Sequence, residues 1–210
     1  MIKVLIADDH AVVRQGLKQI LSEQPDMKVL GEAGSVPELL DHIRKQQWDI
    51  VVLDISMPGR GGLEGLKELK QEQPKLPVLI LSIHPEDQFA VRALKTGASG
   101  YLTKDSAPEE LVQAIRKVLT GRKYISPGLA EKLATDLQTD TARPLHEALS
   151  DREFQILRLI ASGISVTEIA NKLSLSVKTV STYRTRILEK MKMKTSAELM
   201  RYAIKHQLVD

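Results

Sequence analysis

The chain has 210 residues, of which 42% are hydrophobic, 27% charged and only 3% aromatic, with a net charge of +3. This is the composition of a folded protein with an aliphatic core, long enough for one large domain or two small ones, and it excludes wholesale disorder. Cysteine is absent, which removes disulfides, thiolate catalysis and Cys-ligated zinc. No apolar run reaches membrane-spanning length, and the start Met1–Asp9 is too short and too acidic for a signal peptide, so a cytoplasmic protein without a membrane partner is expected.

Up to about residue 120, apolar or β-branched runs alternate with helical patterns. Ile2–Ala7, Lys28–Glu32, Ile50–Asp54, Val78–Ser82 and Gly100–Leu102 read as strands. Helices are expected near Val12–Glu23, Pro37–Gln47, Leu63–Gln73, Glu86–Thr96 and Pro108–Thr120. Runs such as Ile50-Val51-Val52-Leu53 do not alternate, as expected of strands buried on both faces. The pattern predicts an α/β doubly wound, five-stranded parallel sheet with right-handed crossovers. Residues 121–148 read as a linker holding one short amphipathic helix around Leu129, Leu133 and Leu137.

From Leu149 the strand pattern ends, and a small all-α domain of four helices is predicted at 151–162, 166–173, 177–191 and 196–206. Ser150–Glu153, Ser165–Glu168 and Thr195–Glu198 each fit the capping box, and Ser176 can cap the third helix. The charge is uneven. Residues 1–125 carry 17 Lys/Arg and 17 Asp/Glu, whereas 149–210 carry 11 and 6. The basic excess therefore lies in the last third, where nucleic acid is a candidate partner.

Asp8 and Asp9 end the first strand, Asp54 the third and Ser82 the fourth, while Lys104 follows the fifth. In an open parallel sheet these positions share the carboxyl edge, where ligands bind. Carboxylates converging at about 4 Å repel by roughly 4 kcal/mol per pair at an effective dielectric near 20. A hard cation such as Mg²⁺ relieves this and keeps positions open for a phosphate oxygen, and Lys104 supplies a point charge for a phosphoryl group. Taken singly, each residue is an ordinary turn former, strand end or loop lysine; together they describe a site that places a phosphoryl group on a carboxylate. In the helical domain, 166–173, a turn at Ser174-Leu175-Ser176 and 177–191 outline a helix–turn–helix. Val180, Tyr183, Ile187, Leu188 and Met191 form its expected buried stripe, and Ser181, Thr182, Arg184, Thr185 and Arg186 its outer face. Small hydroxyls flanked by arginines suit a helix in the major groove.

The first 120 residues resemble the receiver domain of bacterial two-component response regulators, a flavodoxin-like fold. The resemblance rests on Val4–His10, Leu53-Asp54-Ile55-Ser56-Met57-Pro58-Gly59, Leu81-Ser82 and Tyr101–Lys104. It implies phosphorylation of Asp54 by a sensor histidine kinase. It also implies Mg²⁺ held by Asp9, Asp54 and the Ser56 carbonyl with Asp8 acting through water, phosphoryl contacts from Ser82 and Lys104, and Tyr101 as a switch aromatic. Read without the resemblance, Tyr101 is a half-buried tyrosine at the sheet edge. Leu149–Glu153, Ile160–Gly163, Glu168–Leu173 and Lys178–Ile187 resemble the LuxR-type DNA-binding domain, and the pair of domains resembles the NarL/FixJ subfamily. By that analogy Ser181, Thr182 and Thr185 face bases. Lys178, Thr179, Arg184, Arg186, Lys190 and Lys192 contact phosphates.

The expected domains are a receiver at 1–120, a linker at 121–148 and a helix–turn–helix domain at 149–210, acting together as a phosphoacceptor transcription regulator. A homodimer on promoter DNA is expected after phosphorylation, with RNA polymerase a further candidate partner. Leu199, Ala203 and Ile204 are candidates for a partner surface or for closing the small core. The unphosphorylated receiver is expected to mask the basic domain. Two rival readings are a Mg²⁺-dependent phosphatase, which lacks its Asp-x-Asp motif because Ile55-Ser56 follow Asp54, and an interaction module that does not bind DNA.

Overall fold

Five short strands, β1 (Ile2–Ala7), β2 (Met27–Ala33), β3 (Ile50–Asp54), β4 (Val78–Ser82) and β5 (Gly100–Thr103), form one all-parallel sheet of order β2-β1-β3-β4-β5 in the computed structural model. The structure describes residues 1–57, 62–83, 86–126, 128–131, 144–206 and 208–209. Between and after the strands run α1 (Ala11–Ser22), α2 (Val36–Lys45), α3 (Gly62–Glu72), α4 (Glu86–Thr96) and α5 (Ala107–Leu119). Every residue of β3 and β4 is buried, as the non-alternating apolar runs require of central strands covered on both faces. Alternate strand residues, Val4 and Ile6, Ile50 and Val52, Leu79 and Leu81, join Leu17 and Leu21 of α1 and Leu111, Ile115 and Val118 of α5 in one core cluster, because successive side chains point to opposite faces.

The chain divides into two compact units, Met1–Thr139 and Asp140–Asp210. Residues 128–131 are helical, at the start of the helix expected around Leu129; the rest of that expected helix lies outside the described residues. The second unit begins with a 3₁₀ turn at Leu145–Ala148 that the sequence pattern did not predict. Four helices follow, α6 (Asp151–Ala161), α7 (Val166–Lys172), α8 (Val177–Lys190) and α9 (Ser196–Lys205).

Local chemistry sets the helix ends. Ser150 and Ser165 make complete capping boxes with Glu153 and Glu168, and Ser176 caps α8 by accepting from the Thr179 N–H at 3.0 Å. The expected box at Thr195 is displaced: its hydroxyl accepts from Glu198 N–H, but the Glu198 carboxylate accepts from Lys194 N–H. Ser35, at the start of α2, behaves the same way, with Glu38 accepting from Gly34 N–H. The difference follows the backbone. Ser150 and Ser165 have φ of −63° and −68°, whereas Thr195 and Ser35 are at −135° and −154°, and φ sets where a cap residue's own N–H points.

Helices α6, α7 and α8 end alike, with paired reversed hydrogen bonds: Gly163 to Ile160 and Ile164 to Leu159; Ser174 to Asn171 and Leu175 to Ala170; Lys192 to Glu189 and Met193 to Leu188. Each motif needs a left-handed residue. Gly163 supplies it freely, whereas Ser174 and Lys192 adopt φ of 52° and 54° as non-glycine residues.

Candidate functional site

The register brings the site together. Ala7 pairs with Leu53, Asp54 with Leu81 and Ser82 with Thr103, so the residues that follow β1 and end β3, β4 and β5 share one edge. The strand order reverses at β1, between β2 and β3, which is where a doubly wound sheet opens a crevice. One ligand atom each from Asp8, Asp9, His10 and Asp54 lie within 4.8 Å of one another. The Lys104 ammonium stands between two of the carboxylates, 2.7 Å from Asp8 Oδ2 and 2.9 Å from Asp54 Oδ2. Its backbone N–H donates to the Ser82 carbonyl at 2.7 Å, which fixes the β5–α5 loop to the end of β4.

The carboxylates differ in setting. Asp8 and Asp54 are almost fully buried, while Asp9 keeps 26% of its side chain exposed. Burial pushes the Asp54 carboxyl above its usual range; the Ser56 N–H at 2.8 Å and the Lys104 ammonium oppose this, and the charge of Asp8 adds to it. The Lys104 ammonium loses hydration, but its contacts with Asp8 and Asp54 outweigh that and raise it above an ordinary lysine. Three buried oxygens, Asp8 Oδ2, Asp9 Oδ1 and Ser56 Oγ, have no aligned hydrogen bond. Asp8 Oδ2 does lie at ion-pair distance from Lys104, and Asp9 Oδ1 is 2.9 Å from His10 Nδ1. Neither oxygen accepts from a backbone N–H, so a cation can reach both by displacing these two side chains. Ser82 and Tyr101 are both fully buried, so Tyr101 is an inward-facing aromatic and not the half-buried edge residue of the alternative reading.

Three residues that the sequence reading did not single out contribute here. His10 follows the aspartate pair and sets its imidazole against Asp9, while its N–H donates to Asp8 Oδ1 at 2.8 Å. Arg14, one turn later on α1, donates from Nη1 to the Asp8 carbonyl at 2.6 Å and pairs with Glu32. Gly62 lies directly behind Asp54: a Cβ at that position would sit 2.1 Å from the Asp54 carbonyl oxygen.

On α8, Val180 and Ile187 are buried, with Met191 just beyond the helix. Ser181, Thr182, Thr185, Arg186 and Lys178 are exposed, and Thr179 is half-buried and hydrogen-bonded to Ser176. Two expected phosphate contacts are engaged within the unit. Arg184 is half-buried and donates from Nε to Ser196 Oγ at 2.8 Å, and Lys190 pairs with buried Glu153 at 2.6 Å. Lys192 is exposed at its left-handed position. Leu199 and Ala203 are fully buried and close the small core, leaving only Ile204 of that trio exposed.

Residues 4–116 match the response regulator receiver domain, and residues 147–203 match the bacterial regulatory proteins of the luxR family. Along its whole length the chain is 42% identical to response regulator GacA of Pseudomonas aeruginosa, covering 99% of that protein. The chain belongs to the NarL/FixJ family of response regulators. The regulator is also 37% identical to response regulator UvrY of Escherichia coli, over 100% of this chain and 97% of that one. Among solved structures it resembles RcsB of Salmonella typhimurium, with a TM-score of 0.69 at 29% identity over 96% of each chain. An RcsB–DNA complex gives 0.60 at 28% identity over 96% of each chain. The regulator is therefore a transcription factor governed by phosphorylation, with a LuxR-type DNA-binding domain, and not an enzyme. This sets aside both the phosphatase and the interaction-module readings. Among the described residues no helix is long and apolar enough to cross a membrane.

Proposed function

We propose that Asp54 accepts the phosphoryl group from a sensor histidine kinase, and that Asp8, Asp9, Asp54 and the Ser56 carbonyl hold Mg²⁺ beside it. The observation that carries this is the Lys104 ammonium shared between Asp8 and Asp54, next to buried oxygens without aligned hydrogen bonds. Bound Mg²⁺ would supply positive charge against the incoming phosphoryl oxygens. Asp54 Oδ2 is the nucleophile, and the Ser56 N–H on Oδ1 orients the carboxylate. Lys104 and the Ser82 hydroxyl receive phosphoryl oxygens, and their displacement reaches Tyr101 in the neighbouring strand. The added charge of about −1.5 to −2 is the perturbation that shifts the equilibrium.

In the second unit, α8 enters the major groove of promoter DNA with Ser181, Thr182 and Thr185 toward bases and Lys178, Arg186 and Lys192 toward phosphates, Thr179, Arg184 and Lys190 standing nearer the helix ends and core. Phosphorylation favours a homodimer on two half-sites about one helical turn apart. A DNA partner places the protein in the cytoplasm, and RNA polymerase is a further partner at the promoter. The receiver is 1–120, the linker 121–148 and the DNA-binding domain 149–210. An acyl phosphate with Mg²⁺ should phosphorylate the wild type, leave Asp54→Ala unlabelled, and label Asp9→Ala weakly with little response to Mg²⁺; full labelling of Asp54→Ala would sink the assignment. Sedimentation and DNA titration with and without the donor test dimerisation. If a 149–210 fragment binds DNA no better than the unphosphorylated chain, masking is wrong.

A further inference from the structure

At the edge of the sheet opposite the acidic pocket, two lysines converge on one turn. Lys70, in the last turn of α3, donates from Nζ to the Leu76 carbonyl at 2.6 Å and to the Pro74 carbonyl at 3.5 Å. Its stem runs beside the α4–β5 turn, where a Cβ on Gly97 would meet Lys70 Cγ at 3.3 Å. Lys123, beyond α5, donates to the carbonyl of Ala98, the next residue of that turn. Neither lysine has a carboxylate partner among the described residues. By contrast Lys18 pairs with Glu32, Lys104 with Asp8 and Asp54, and Lys190 with Glu153.

An ammonium that lacks an anion, faces a second ammonium and is partly withdrawn from water is disfavoured relative to its neutral amine. Burial first, and then the charge of Lys123, hold Lys70 below the usual lysine range; burial does the same to Lys123. The hydrogen bonds survive deprotonation. A neutral amine keeps two N–H donors, which is what the two carbonyls facing Lys70 require, and it turns its lone pair away from them. Lys70 is half-buried, not enclosed, and its contact with the Pro74 carbonyl lies at the surface, which puts Nζ within reach of a small electrophile.

We propose that Lys70 is a site of N-acylation by small acyl donors, acyl phosphates or acyl thioesters, with Lys123 as the positioning residue whose charge sustains its reactivity. The neutral Nζ attacks the acyl carbon and forms the C–N bond. The C–O bond to phosphate, or the C–S bond to the thiol, breaks, and the leaving group takes the electron pair. The proton lost from nitrogen goes to water or to that leaving group. The product amide retains one N–H for the Leu76 carbonyl, so the loop stays tied while the patch loses a positive charge.

The full-length protein is incubated with acetyl phosphate in one arm and an acetyl thioester in the other, and acetylation of each lysine is followed by peptide mass spectrometry. Exposed Lys28 and Lys75 are the internal references, and aspartyl phosphate is resolved by mass. Near neutral pH, Lys70 should acetylate severalfold faster than Lys28, because an amine held below the usual lysine range carries more of the free base. Lys123→Gln should slow Lys70 by at least about threefold, and Lys123→Arg, which keeps the charge, should preserve the wild-type rate. Fluorescence of Trp48, the single tryptophan, confirms that both variants are folded. Excess at Lys70 in only one arm assigns the donor class. Equal rates at Lys70 and Lys28 in both arms overturn the proposal, and a Lys70 rate indifferent to Lys123→Gln overturns the role of Lys123.

Discussion

Gly62 is the position where a single methyl group should damage the proposed phosphoacceptor site without changing any charged side chain. A Cβ there would lie 2.1 Å from the Asp54 carbonyl oxygen and 2.4 Å from Ile55 Cα. Both are backbone atoms, so no side chain can swing aside, and Gly62 N–H is itself bonded to the Ile55 carbonyl at 3.1 Å. Restoring non-bonded separation requires the Asp54–Ile55 peptide to retreat by about 1 Å. Overpacking of this kind costs roughly 1–3 kcal/mol, and a 1 Å misplacement of a reacting group can cost on the order of 10²-fold in rate. Gly62→Ala should therefore lower the urea midpoint read by Trp48 fluorescence and slow labelling by an acyl phosphate at least about tenfold. Gly16, within α1, is the control: a Cβ there would meet nothing within 4 Å, so Gly16→Ala should stabilise by about 0.5–1 kcal/mol. Wild-type stability and labelling in Gly62→Ala would refute the reasoning.

Three further outcomes are expected. Burial pushes Glu153 up, but Lys190 and two Ser150 donors outweigh it and hold the folded-state carboxyl below its unfolded value. Its stabilisation of the second unit is thus complete above the ordinary carboxylate range and disappears as pH falls through the depressed value. Glu153→Gln should cost about 1–2 kcal/mol near neutrality, discounted because Lys190 is 43% exposed, and should converge on wild type in acid; parallel pH profiles by hydrogen exchange would contradict this. Ser174→Gly, which relieves a left-handed φ, should slow exchange of the α7 and α8 amides by the equivalent of about 0.5–1 kcal/mol, and faster exchange would argue against strain there. Lys178→Ala should reduce the salt slope of DNA binding by about 0.9, whereas Lys190→Ala should chiefly destabilise the unit; the opposite pattern would exchange their roles.

Among the described residues the sequence pattern carried the five strands and α1–α9 to within two residues, because buried parallel strands are unbroken apolar runs and α2, α6, α7, α8 and α9 begin at Ser or Thr caps. The acidic site was legible for a related reason: a strand's last residue fixes the edge at which its side chain emerges. The features that escaped depend on distant partners. Lys190 looked like a free cation on a basic helix, and only the fold brings it to Glu153, 37 residues away in sequence. Leu199 and Ala203 fit a dimer surface as well as a core until α9 was seen to bury them. Tyr124 lay in a stretch read as linker, yet its N–H donates to the Ser99 carbonyl and its carbonyl accepts from Tyr101 N–H, which extends the sheet edge beside buried Tyr101. No periodicity announces a single bridge of that kind.

The turn between α7 and α8 has a consequence for how this regulator reads DNA. Its angle is held by the left-handed Ser174 and the Ser176 cap, both satisfied within the backbone and its nearest hydroxyl. On α8 the cap engages Thr179, through its N–H and hydroxyl, and none of Ser181, Thr182 or Thr185. On the proposed assignment of Ser181, Thr182 and Thr185 to bases, the reading head is separable from its mount: exchanging them should leave the presentation of the helix unaltered. Because α8 is capped and its turn closed by groups of its own unit, ordering it requires no contact with DNA. A mutation that loosens the turn should consequently weaken binding to every sequence alike, as an entropic cost, while one on the outward face should change which sequence is preferred.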